Sequence, residues 1–276
     1  MSTDFPARIV CLSDETTETL YLLGEQDRIV GVSGFSTRPP EVRGKPRVST
    51  FNSANVDEIL ALKPDLVLTF SDVQAEITRQ LVLQGLTVLN FNQRSVAGIF
   101  DMIRTLARIL GISSKGDELI DSLRLGMASV EAVAQRFPQR PRVYFEEWHD
   151  PLISGIGWVD EIVEVAGGVP VFPELRARAK AQDRVIDPAE VVRRNPEVIF
   201  ASWCGMKVSL DAIHSRPGWD QISAVRNGHV YEIPSSCILQ PGPAALTDGL
   251  RLLHEKLAHA AHAADRHVPN TLRALL

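Results

Sequence analysis

Asn55 to Phe70, NVDEILALKPDLVLTF, reads as a helix that runs straight into a strand. Asn55 is suited to cap the helix, and Glu58, three residues on, can reach back to it as in a capping box. Val56, Ile59, Leu60 and Leu62 supply an apolar side. Pro64 stops the helix, because proline lacks an N–H and pushes the residue before it out of the α region. Leu66-Val67-Leu68 is then a short buried strand. Asp187 to Ser202, DPAEVVRRNPEVIFAS, has the same grammar. Asp187 caps, Pro188 takes the first helical position, Glu190 completes the box, Pro196 ends the helix, and Val198-Ile199-Phe200 is the strand. One such unit in each half predicts two α/β lobes of related build. In open parallel sheets ligands sit beyond the carboxyl ends of the strands. Phe70-Ser71 and Trp203-Cys204 lie at those ends.

The rest of the chain can be read around these two units. Strands are predicted at Arg8–Leu12, Ile29–Val32 and Thr87–Phe91, with helices over Thr17–Leu23 and Gln74–Gln84. Ser13-Asp14-Glu15-Thr16 reads as a polar turn able to cap the first helix, and Gly24 closes it. From Ser95 to Phe137 the apolar residues keep helical spacing, which predicts two consecutive helices joining the lobes. A second lobe opens with a strand at Arg142–Phe145, a loop from Glu146 to Gly157 and a helix at Trp158–Val165. Trp219–Val225, a turn at Asn227-Gly228, a strand at His229–Ile233 and a last helix over Ala244–Ala261 complete it. The predicted fold is α/β, with two Rossmann-like lobes joined by a long rigid helix and a ligand cleft between them. Its divisions are an N-terminal lobe over 1–94, connecting helices over 95–140, a C-terminal lobe over 141–263 and a tail over 264–276.

Several function classes find no support. A net charge of −5 and no basic stripe give no footprint for nucleic acid. No apolar run is long enough to span a membrane. The start, MSTDFPARIV, lacks the pattern of a signal peptide, which by itself reads as cytoplasmic. The three cysteines, Cys11, Cys204 and Cys237, have no metal or redox spacing, and a Cys204–Cys237 bridge is left open. Ser13, Ser154 and Ser235 lie in no nucleophile elbow, and neither a Walker lysine motif nor a dinucleotide-binding glycine motif is present. Glu146-Glu147-Trp148-His149-Asp150 is the densest polar cluster. Adjacent residues at a strand end face opposite ways, so it reads as a charged lip rather than a metal site. His254, His259, His262 and His267 read as a solvated helix face and tail. Nothing suggests a coiled coil or an exposed apolar stripe, so a monomer is expected.

Thr17-Glu18-Thr19-Leu20, Asp27 through Val32, Pro39-Pro40-Glu41, the Asn55–Phe70 unit, Val165-Ala166-Gly167-Gly168 and Arg216-Pro217-Gly218-Trp219 through Gly228 stand in a characteristic order. Together, over roughly Arg8 to His259, they resemble the class III solute-binding proteins of ABC importers, which take up cobalamin, haem and ferric siderophores. Gly34-Phe35-Ser36, Val48-Ser49-Thr50-Phe51 and Leu68-Thr69-Phe70 are most similar to the vitamin B12-binding branch. All three aromatics are Phe, which keeps stacking without a hydrogen-bonding tip. The resemblance implies a periplasmic, non-catalytic protein that carries cobalamin or a related corrinoid as transported ligand, with no catalytic cofactor. Phe35, Phe51 and Phe70 from the first lobe and Trp148 and Trp203 from the second would wall the macrocycle. Ser71, Ser154 and Gln240 would hydrogen-bond its amide rim. Glu76 and Asp220 would dock on the importer's membrane subunits. A haem or ferric-siderophore binder is the alternative within the class. A cytoplasmic enzyme or corrinoid-handling protein is the alternative outside it.

Overall fold

The computed structural model describes residues 5–50 and 52–265. Phe51 and His267 lie outside the described residues, as does most of the expected tail. The chain divides into two compact units: the first runs to Leu123 and takes back Gln240–Ala244, and the second takes Arg124–Leu239 and resumes at Ala245.

The first unit contains β1 (Ile9–Cys11), α1 (Asp14–Leu22), β2 (Ile29–Ser33), β3 (Arg47–Ser49), α2 (Val56–Ala61), β4 (Leu66–Phe70), α3 (Ala75–Leu83), β5 (Val88–Phe91) and α4 (Val96–Ile109). Its five strands run parallel in the order β3-β2-β1-β4-β5. The order reverses at β1, so the carboxyl ends of β1 and β4 flank the crevice where such sheets bind ligands. The 22-residue α5 (Ser113–Ala134) carries the chain out of this unit and into the second.

The second unit contains β6 (Arg142–His149), β7 (Leu152–Ser154), α6 (Gly157–Val165), β8 (Val169–Pro170), α7 (Pro188–Arg194), β9 (Val198–Ala201), α8 (Leu210–His214), α9 (Ser223–Arg226), β10 (Val230–Glu232), α10 (Ser235–Ile238) and α11 (Leu250–Asp265). Its sheet has the order β10-β9-β6-β7. The short β8 pairs with the start of β6, and β7 runs antiparallel along its end.

The predicted repeat is a physical one. Asn55 accepts from the Glu58 N–H at 3.2 Å, and Asp187 accepts from the Ala189 N–H at 2.9 Å. In each unit the helix–strand segment places its strand beside that unit's first strand, β4 on β1 and β9 on β6. An arginine at or just before the first strand then ties the helix end down. Arg8 donates to the carbonyls of Leu62 and Lys63, and Arg142 donates to those of Arg194 and Asn195. Terminal helix carbonyls have no partner within the helix, so a guanidinium satisfies them. The acid after each proline closes the clamp from the other side. Asp65 accepts from the Ala7 and Arg8 N–H groups, and Glu197 accepts from that of Arg142.

Three expectations need correction. Glu190 does not close a capping box; its carboxylate pairs with Arg193 and Arg194. The helix expected from Thr17 begins at Asp14, and the Ser13 hydroxyl meets Thr16 Oγ1 at 3.0 Å instead of capping the backbone. The loop expected from Glu146 is strand: β6 continues to His149 and turns back as β7. The strand persists because the two acids face opposite ways and each finds an arginine.

Lys63 (φ 48°) and Asn195 (φ 43°) end the two repeated helices in left-handed conformations. Lysine is penalised there, whereas asparagine is tolerated. Lys63→Gly should therefore raise stability to urea by about 0.5–1 kcal/mol, whereas Asn195→Gly should not, because it also removes the side-chain acceptor of the Ser223 N–H at 2.7 Å.

Candidate functional site

In the first unit the strand ends are built around β1 and β4. Gln74 is 1% exposed and bridges them: its Oε1 accepts from the Phe70 N–H at 2.9 Å, and its Nε2 donates to the Leu12 carbonyl at 2.8 Å. Phe70 is buried at 6% exposure, with the Arg94 guanidinium 5.3 Å from its ring centroid. Ser71 adopts a positive φ of 58°, and its hydroxyl accepts from the Val73 N–H, so it is spent on the local turn. Phe35, by contrast, stands 48% exposed on the loop after β2. Gln240 is half-buried.

The first turns of α1 carry acids at this same end. Burial pushes the Asp14 carboxyl up to about 6, against the pull of a hydrogen bond from Ser36. Glu15 is 1% exposed, and burial pushes it up to about 8. Glu18 accepts from Arg38 Nε at 3.1 Å and from the Ala244 N–H at 3.0 Å.

The second unit's strand ends centre on Glu146, which is fully buried. Arg216 Nη1 and Nη2 donate to its two oxygens at 2.5 and 2.9 Å, and Trp203 Nε1 donates to Oε1 at 3.1 Å. Arg216 in turn lies over Trp219, 4.4 Å from the ring centroid. On the opposite face of β6, Glu147 takes a two-pronged pair from Arg184, itself 1% exposed, at 2.6 and 3.1 Å. His149 stacks on Trp203, with ring centroids 4.3 Å apart, and touches Trp148 at 5.0 Å. Its Nδ1 is buried without a hydrogen-bond partner. Trp148 is half-buried and donates from Nε1 to the Asp150 carbonyl at 3.0 Å.

This arrangement separates the predicted residues into two kinds. Phe35 and Trp148 present ring surface. Phe70 and Trp203 do not: Arg94 lies over the one, and Trp203, 3% exposed, is core behind His149. Ser71 and Ser154 are buried, and the Ser154 carbonyl accepts from Arg184. The lip expected at Glu146-Glu147 is in fact two ion pairs. Glu76 and Asp220 are both exposed. Arg79 and Gln80 hold the Glu76 carboxyl down at about 2, so it stays charged at any physiological pH. Asp220 sits in a 3-10 turn, Trp219–Gln221, ahead of α9. Sequence reasoning missed Gln74, Glu15, Arg184 and Arg216 as structural members of these sites. The arginine partners are 37 and 70 residues distant from their acids, so no local spacing announces them. Among the described residues no group of three or more His, Cys, Asp or Glu side chains could hold a metal ion. No helix among them is long and apolar enough to cross a membrane.

A family model described as periplasmic binding protein matches residues 9–237. An uncharacterized ABC transporter substrate-binding lipoprotein, YvrC of Bacillus subtilis (strain 168), is 29% identical over 261 residues, covering 91% of this chain and 80% of the relative. A vitamin B12-binding protein of Vibrio parahaemolyticus is 27% identical over 243 residues, covering 87% and 85%. Among solved structures, the periplasmic heme-binding protein RhuT from Roseiflexus sp. RS-1 superposes with a TM-score of 0.77 at 24% identity, over 91% of this chain and 98% of the other.

Removing one partner of the Glu146 pair leaves a charge with no solvent. Arg216→Met should cost about 3–5 kcal/mol in denaturant unfolding. The double variant Glu146→Gln, Arg216→Met should recover a large part of that loss.

Proposed function

Because the chain belongs to the periplasmic binding protein family, we propose that it is the solute-binding component of an ABC importer and that its cargo is a corrinoid. The observation that carries the choice of cargo is charge balance at the strand ends. Arg38 is paired with Glu18, Arg94 with Asp72, Arg184 with Glu147 and Arg216 with Glu146. A ligand rich in carboxylates is best met by arginines whose forks are available to it. Here each of the four already serves an acid of this chain. A macrocycle with a neutral amide rim needs stacking surface and neutral donors and acceptors instead. Phe35 and Trp148 supply the surface, and Gln240 and the loop backbone supply the polar contacts. Phe70 and Trp203 act behind them, as supports for Arg94 and His149. The similarity to a vitamin B12-binding protein supports this reading.

The haem reading has the similarity of fold to a heme-binding protein in its favour. A haem site favours an axial histidine, and His149 is half-buried near the right strand end. A ligating histidine, however, normally donates its other N–H to an acceptor that fixes the tautomer, and His149 Nδ1 has no such acceptor. This weighs against haem. The work is binding rather than chemistry, and delivery to the importer places the protein outside the cytoplasmic membrane. Glu76 and Asp220 are the acids that would meet the membrane subunits.

Calorimetric titration with cyanocobalamin, alongside haemin, tests the cargo. One-to-one binding of the corrinoid alone is expected, and Phe35→Ala and Trp148→Ala should each weaken it by about 1–3 kcal/mol. Binding of haemin alone would overturn the corrinoid assignment, and unchanged affinity in both variants would remove these two rings from the site. For docking, reversing the charge at both Glu76 and Asp220 should abolish uptake in a cell-based transport assay while leaving cyanocobalamin affinity intact. A loss of affinity instead would assign the two acids to ligand binding or folding.

A further inference from the structure

The chain passes between its two units three times: within α5, after Leu239, and again after Ala244. The last two passages bound a strap of five residues, Gln240–Ala244, that belongs to the first unit although both its neighbours belong to the second. Pro241 to Ala244 are all buried. Hydrogen bonds hold the strap, among them Gln93 Nε2 to the Pro241 carbonyl at 2.9 Å and the Ala244 N–H to Glu18 Oε2 at 3.0 Å. Between them Gly242 sits directly on Glu15. A Cβ at Gly242 would lie 2.5 Å from Glu15 Cβ and 3.0 Å from its Cα, so only glycine fits.

The strap thus covers the Cα–Cβ end of Glu15, and both its carboxyl oxygens are buried. An ionised carboxylate in that position would be strongly disfavoured. Its own backbone N–H and the Ser13 hydroxyl offset only part of that cost, and burial outweighs them. On its own helix Asp14 and Glu18 are both acidic, and the arginine near Glu18, Arg38, is already bonded to it. On β1 the neighbour is the Cys11 thiol, itself pushed up to about 12 by burial. The strap, QPGPA, has no ionisable side chain.

We propose that Glu15 is a proton-dependent latch for the strap Gln240–Ala244: the strap lies down on a protonated Glu15, and loss of that proton lifts it. Once the strap is up, Glu15 meets water and its carboxyl returns toward its ordinary value near 4.5, whereas under the strap it sits near 8. Between those values the lifted form has lost a proton that the seated form keeps. Opening thus becomes easier as pH rises, by about tenfold per pH unit at most, and stops changing above about pH 8. Two of the three covalent passages between the units run through this strap, so its seating is a point at which pH can act on both. The inference is independent of which ligand the protein carries.

The test is native-state amide hydrogen exchange of Gly242 and Ala244 in the full chain between pH 6 and pH 8, corrected for intrinsic base catalysis. Wild-type protection should fall by at least about tenfold across that range and level off only where the Glu15 carboxyl, followed by its carbon-13 shift, titrates. Glu15→Gln should retain protection that does not change with pH. Equal protection of the wild type at both pH values, or the same fall in Glu15→Gln, would overturn the latch. If Glu15→Gln does not fold, the wild-type comparison decides alone: a fall in protection that levels off well below the Glu15 titration, or continues well past it, overturns the latch. Gly242→Ala should lower Ala244 protection already at pH 6, and protection equal to wild type there would show that Gly242 is not seated on Glu15.

Discussion

The guanidinium clamp at the foot of each sheet is the interaction on which the repeated build depends. Arg8 and Arg142 each donate to the last carbonyls of a helix while the acid behind the proline, Asp65 or Glu197, takes N–H groups at the start of the first strand. A helix end and a strand start are both rich in unpaired backbone groups, and leaving either dry and unpaired is costly. One arginine and one carboxylate satisfy both. They also fix the register of β4 on β1 and of β9 on β6, since each acid is the residue immediately before the strand it sends into the sheet. Everything at the opposite, functional ends of those strands inherits its position from this clamp.

At the functional ends the two units solve the same problem differently. The first stitches β1 to β4 through the neutral Gln74 and carries three acids on the first turns of α1, of which Glu18 pairs with Arg38. The second uses ion pairs. Glu146 and Glu147 are neighbours in β6, yet the pleat sends them to opposite faces, where Arg216 and Arg184 meet them. A buried pair is not strong evidence for stability in itself, but it fixes geometry, because either charge alone could not remain. Trp203 and His149 are held by that geometry. The arginines Arg38, Arg94, Arg184 and Arg216 are thus each paired with an acid of this chain, which is the premise of the proposed cargo.

A further asymmetry lies in the strap. α1 buries a polar face beneath a glycine-containing segment from the far end of the sequence, with Gly242 directly against Glu15 Cβ and Cα. Burial of its carboxyl oxygens pushes Glu15 up to about 8. The same burial that makes the first unit compact thereby makes one of its contacts sensitive to protons.

Sequence by itself determined the repeated helix–strand units, the two α/β halves, the two consecutive helices α4 and α5 and the glycine and proline stops. Each of these rests on contacts within a few residues: Asn55 with Glu58, Asp187 with Ala189, Pro64 and Pro196 against their own preceding turns. Their physics is local and can be read along the chain. Tertiary structure alone decided which aromatic rings are offered and which are covered. Phe35 and Phe70 look alike in sequence, and so do Trp148 and Trp203. What separates them is whether Arg94 or His149 happens to lie over the ring. The charged lip at Glu146-Glu147 became two ion pairs for the same reason. Its partners stand 70 and 37 residues away, at distances set by strand order rather than by spacing. Burial and long-range pairing are properties of the folded surface, and no local pattern encodes them.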